Sequence, residues 1–159
     1  MSPVQFHNIS PHKTWSAYLQ ELGLPGKSMV IEITEGLLLG ADADVTGKLL
    51  EFHDVGIQVA IDDFGTGYSS LSYLKKFDID YLKIDQSFVR DLVTDPDDMA
   101  LSEAIIVMAH KLGLKVIAEG VETEEQSKFL RLLKCDQIQG YLFSKPVPAE
   151  QVPALLAKP

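Results

Sequence analysis

From about Ser28 onward, short runs of β-branched residues alternate with stretches whose apolar positions recur at helical spacing. Met29-Val30-Ile31-Glu32-Ile33 predicts a strand. Val45, Leu49, Leu50 and Phe52 predict a helix that closes near Gly56. Val59-Ala60-Ile61 is the next strand, followed by a helical segment carrying Leu71, Tyr73 and Leu74. Tyr81-Leu82-Lys83-Ile84 is a third strand, Val116-Ile117-Ala118 a fourth, and Ile138 anchors a last one. Ahead of them, Trp15, Tyr18, Leu19 and Leu22 mark an amphipathic opening segment.

The clearest helix lies between the third and fourth strands. Asp95 suits its N-cap, Pro96 its first position, and Asp97 and Asp98 the positive end of its dipole. Leu101, Ile105, Met108, Ala109 and Leu112 then repeat, and Gly113 stops the run. Thr123 and Gln126 have capping-box spacing for a further helix, and residues Ala149 to Ala157 predict a short terminal one. Alternating strands and helices imply an α/β fold with a parallel sheet and right-handed crossovers. Two architectures fit: an open five-stranded doubly wound sheet, or part of a (β/α)8 barrel, which when complete takes about 250 residues.

Composition narrows the class. The chain has 159 residues, 46% of them hydrophobic, which suits a single domain with a real core. Acids outnumber bases 23 to 14, a formal charge of -9, and no basic cluster occurs, so no nucleic-acid polymer is expected as a partner. The single cysteine, Cys135, allows no internal disulfide and points to the cytoplasm. No apolar stretch reaches the roughly 18 residues of a membrane span, and Met1-Ser2-Pro3-Val4-Gln5-Phe6 is not a signal peptide. No direct membrane contact is expected from this segment. Any anchor would belong to a larger parent chain.

Charge placement then suggests chemistry. Asp62 and Asp63 sit side by side where an apolar strand meets Phe64-Gly65-Thr66-Gly67. Adjacent carboxylates repel, and a hard divalent cation such as Mg²⁺ or Mn²⁺ suits them; the plain alternative is a solvated turn. Glu32, Asp62, Asp85 and Glu119 fall at or near the C-terminal ends of four strands, with Gln139 on the last. That edge is where ligands bind in both architectures. The acid count suits two cations, which can clamp an in-line phosphoryl displacement without a side-chain nucleophile. Lys83, inside its strand, could position water or stabilise phosphoryl charge; a structural ion pair is the alternative. His7, His12, His53 and His110 lie away from strand ends, and no zinc cluster or P-loop pattern is present.

Five segments carry a specific resemblance. Ile31-Glu32-Ile33-Thr34-Glu35, Asp62 to Leu71, Lys83-Ile84-Asp85, Ala118-Glu119-Gly120-Val121-Glu122 and Gln139 to Pro146 resemble, in order and spacing, the EAL-domain family. That family comprises cyclic di-GMP phosphodiesterases with a modified TIM-barrel fold. The resemblance implies metal ligation by Glu32, Asp62, Asp63 and Glu119. It implies catalytic roles for Lys83, for Glu119 as general base, and for Glu35 as the acid steadying the loop from Asp63 to Ser70. Gln139 and Glu122 would contact the guanine or its support, and Asp85 would act from behind the ligands. The implied reaction converts cyclic di-GMP to linear pGpG with Mg²⁺ or Mn²⁺.

The chain departs from the family pattern at its front, where the Glu-Ala-Leu segment, one metal-binding Glu and a phosphate-contacting Arg find no match. The resemblance therefore implies a single truncated domain, residues 1–159, amounting to roughly the C-terminal five-eighths of a barrel. Two open sheet edges would favour association with itself or a partner, or flattening into an open sheet. Loss of metal ligands would leave the chain alone with little or no hydrolysis. A non-catalytic cyclic di-GMP receptor is the competing reading. A phospho-acceptor domain fits less well, since it would place its acid pair after the first strand.

Overall fold

A computed structural model describes residues 11–39, 43–67, 74 and 77–157. Helix α1 (Pro11–Glu21) leads into strand β1 (Val30–Thr34), which runs directly into the single-turn helix α2 (Glu35–Leu39). Helix α3 (Ala43–Asp54) crosses to β2 (Gln58–Phe64). Strand β3 (Tyr81–Ile84) is followed by the short helix α4 (Gln86–Arg90) and the long α5 (Pro96–Lys111). Then come β4 (Lys115–Ala118), α6 (Glu124–Leu132), β5 (Gln137–Ile138), a 3-10 turn at Ala149–Gln151 and α7 (Val152–Leu156). The expected terminal helix is therefore split, with Pro153 in its first α turn. The expected helical segment at Leu71 and Tyr73 lies outside the described residues, and Leu74 occupies a turn.

All five strands are parallel and stand in chain order, β1-β2-β3-β4-β5. Sequential parallel neighbours joined by crossovers are the pattern of a barrel wall, and they decide between the two architectures left open by the sequence. β3, at the centre of the sheet, is buried at every position, whereas β1 and β4 alternate buried and more exposed residues. Ile33, Ile61, Leu82, Ile84 and Val116 are fully buried, and Phe52, Leu92, Ile106 and Leu130 pack against them. Trp15 of α1 stacks on Phe52 of α3 with ring centroids 6.2 Å apart.

The caps foreseen for the helices are in place. Asp95 accepts from Asp97 N at α5, and Thr123 with Gln126 closes a reciprocal capping box at α6. Gly113, with φ of 81°, turns the chain after α5. One irregularity matters for function. The β2–β3 register shifts between Ile61 and Phe64, at the acid pair, and Asp63 takes a positive φ of 55°. Consecutive residues of a regular strand face opposite sides of the sheet; this bulge breaks that alternation.

Candidate active site

Lys83 is the third residue of β3, on the innermost part of the sheet, and its side chain is 3% exposed. Its Nζ lies 2.7 Å from Glu32 Oε1 on β1, 2.8 Å from Asp62 Oδ1 on β2 and 2.5 Å from Glu119 Oε1 just beyond β4. One ammonium thus joins carboxylates from three separate strand ends. Burial opposes the charge, but hydrogen bonds to Asp62, Glu119 and Glu32 outweigh it and hold the lysine above its ordinary pKa.

The bulge brings Asp63 to the same side. Asp62, Asp63 and Glu119 each offer a carboxylate oxygen, all within 4.8 Å of one another. Oxygen bonds of about 2 to 2.6 Å to a hard divalent cation span that separation, so the donor set fits such an ion. Desolvation, then the charges of Asp62 and Asp85, lifts the Asp63 carboxyl. Burial likewise raises Glu119 against the pull of Lys83. Partial burial works against the Asp85 charge, yet bonds from Ser87 and Asp63 hold that group low. Asp85 caps α4 through Ser87 N at 2.9 Å. Its side chain also interacts with that of Asp63.

The remaining expected residues surround this centre. Gln139 follows β5 and donates from Nε2 to Glu119 Oε1 at 2.6 Å. Gln139 and Glu122 both line a cavity of about 580 Å³ that opens beside Glu119, together with Gln86, Tyr141 and Lys145. Lys145 Nζ sits 5.5 Å from the Tyr141 ring centroid. Glu35, the first residue of α2, is 5% exposed, and its carboxylate meets no donor among the described residues. A Cβ built on Gly67 would come within 3.6 Å of Glu35 Oε2, so the acid lies under the turn that carries Asp63. Of the histidines, His53 and His110 occupy the last turns of α3 and α5, and His7 lies outside the described residues.

Close backbone approaches shape the rim. A Cβ on Gly140 would come within 2.2 Å of Val121 O, and one on Gly120 within 2.7 Å of Gln86 Cβ. The segments after β3, β4 and β5 therefore pack backbone against backbone. Nothing in the sequence signals these contacts beyond the presence of glycine. A second cleft, of about 260 Å³, lies between α4 and the Gly120–Glu122 segment.

Comparison with known proteins fits this geometry. The EAL domain family matches residues 1–146. The chain is 49% identical over 131 residues to the cyclic di-GMP phosphodiesterase NbdA of Pseudomonas aeruginosa, covering 82% of this chain and 17% of that protein. It is 46% identical over 158 residues to the bifunctional diguanylate cyclase/cyclic di-GMP phosphodiesterase MucR of the same organism, covering 99% of this chain and 23% of that protein. The chain thus spans about a fifth of the length of these relatives. Among solved structures, the EAL domain of Mycobacterium smegmatis DcpA superposes with a TM-score of 0.90 at 43% identity, covering 99% of this chain and 70% of that one. The MucR phosphodiesterase in complex with c-di-GMP gives 0.87 at 40% identity, covering 96% and 62%. Klebsiella pneumoniae BlrP1, with manganese and cy-diGMP, gives 0.80 at 33%, covering 89% and 36%. With a five-stranded parallel wall, acids gathered at its C-terminal rim and a family match over most of its length, this chain belongs to the EAL domain family.

Proposed function

We propose that this chain supplies the catalytic rim of a cyclic di-GMP phosphodiesterase, which hydrolyses one phosphodiester bond of the cyclic dinucleotide to linear pGpG. The observation that carries the reading is the convergence of Glu32, Asp62 and Glu119 on Lys83, with Asp63 beside them. Asp62, Asp63, Glu119 and Glu32 would hold Mg²⁺ or Mn²⁺. Such cations supply Lewis acidity, offset phosphate charge in an acidic protein and make water a better nucleophile at neutral pH.

In hydrolysis, phosphorus gains the water oxygen, the P–O3′ bond breaks, and the freed sugar oxygen takes a proton. Glu119 would accept the proton of the attacking water; burial, which raises its proton affinity, supports that role. Lys83 faces the same point and stabilises negative charge on the phosphoryl oxygens. Glu122 and Gln139, on the 580 Å³ cavity, can hydrogen-bond the donor and acceptor edge of guanine. Glu35 supports the turn bearing Asp63, and Asp85 steadies Asp63 from behind.

The test is an assay on the full-length protein that carries this chain, with cyclic di-GMP and Mn²⁺ or Mg²⁺, reading pGpG by chromatography. Chelator-sensitive formation of pGpG is expected. Tight calorimetric binding without product would replace this reading with the receptor one.

A further inference from the structure

Gln126 is the N3 residue of a capping box, a role that needs only its carbonyl oxygen. Here the whole side chain is used, and it is 6% exposed. Its Oε1 accepts from Glu122 N at 2.8 Å and Thr123 N at 3.0 Å. Its Nε2 donates at 3.1 Å to the carbonyls of Val89 and Arg90, at the end of α4 and 36 or more residues away in the chain.

These bonds tie two rim segments together. α4 starts immediately after Asp85 and places Gln86 on the large cavity. The other segment runs from Glu119 to Glu122, packed through Gly120 against Gln86. Both walls of the 260 Å³ cleft between them, Asp85 to Arg90 on one side and Gly120 with Glu122 on the other, meet at Gln126. We infer that Gln126 is a positioning residue: it fixes Glu122 relative to α4 and so sets how the base of the substrate is held. This rests on the phosphodiesterase reading above, which puts Glu122 against the guanine.

The test uses the full-length protein and three variants. Gln126→Met keeps the side chain's length and removes all four bonds. Gln126→Glu keeps the acceptor half only. Thr123→Ala weakens the same helix start but leaves the four bonds in place. Gln126→Met is expected to raise KM for cyclic di-GMP about tenfold with kcat within about twofold of wild type. Gln126→Glu raises KM in the same direction and serves where Gln126→Met does not fold. Thr123→Ala lowers the melting temperature with KM unchanged. A folded Gln126 variant with wild-type KM overturns the inference, as does a Thr123→Ala variant whose KM rises equally. Should the wild type bind the dinucleotide without turnover, the phosphodiesterase reading fails, and calorimetric Kd takes the place of KM with the same two outcomes. Wild type that neither binds nor hydrolyses overturns both.

Discussion

Replacing Lys83 with Met would remove the ammonium that joins Glu32, Asp62 and Glu119. Only the lysine of this cluster is buried, while Glu32 keeps 45% of its side chain in solvent, so the loss of stability is expected to be smaller than for a fully buried pair. Turnover of the full-length protein is expected to fall about a hundredfold or more. The upward shift of melting temperature on adding Mn²⁺ should be larger in the variant than in wild type, because the acids have lost their internal cation; an equal or smaller shift in scanning fluorimetry would contradict this. Cys135 behaves oppositely, as an inert thiol. Burial pushes it up to about 11, and it donates to the carbonyls of Val116 and Gln137. Alkylation by iodoacetamide at neutral pH should be slow in the folded protein and fast in urea. At this scale the sequence showed which acids fall at or near strand ends and which lysine lies inside a strand among them. It could not show that Gln126 reaches Val89 and Arg90, because nothing local in a chain marks a bond across 36 residues.

His110 in the last turn of α5 joins Asp136, just before β5, at 2.8 Å, and Asp136 also accepts from Val116 N of β4. Three elements meet in that carboxylate, at the end of the sheet away from the acid rim. Partial burial opposes its charge, but the His110 bond outweighs it and holds the Asp136 pKa below the usual carboxylate value. The sign follows: the stability it lends is full above that usual value and is lost as pH falls through the lower folded one. Asp136→Asn should therefore be less stable than wild type at neutral pH, with the gap closing below about pH 4; a gap that is constant with pH would exclude the mechanism. Asp95→Ala should cost α5 about 1 kcal/mol in denaturant unfolding. The caps of α5 and α6 were readable because their signals are local residue types at fixed offsets. The helices α2 and α4, five residues each, were not, since one and a half turns are too short for a helical repeat to show.

The sheet as a whole has outer strands, β1 and β5, with a neighbour on one side only among the described residues. Open parallel edges invite pairing, so the 159-residue chain purified alone is expected to associate; a monodisperse monomer in light scattering would contradict it. The strands and their parallel direction were legible in the alternation, whereas the barrel-like order of neighbours needed the hydrogen-bond register to be seen. The charge cluster adds a consequence of its own. Its members leave a ribosome in the order Glu32, Asp62, Lys83, Glu119. A nascent chain halted before Lys83 therefore exposes two mutually repelling anions, and the arrival of the third strand supplies the internal counterion that lets their ends draw together. Synthesis would thus delay closure of this wall until more than half of it has been translated.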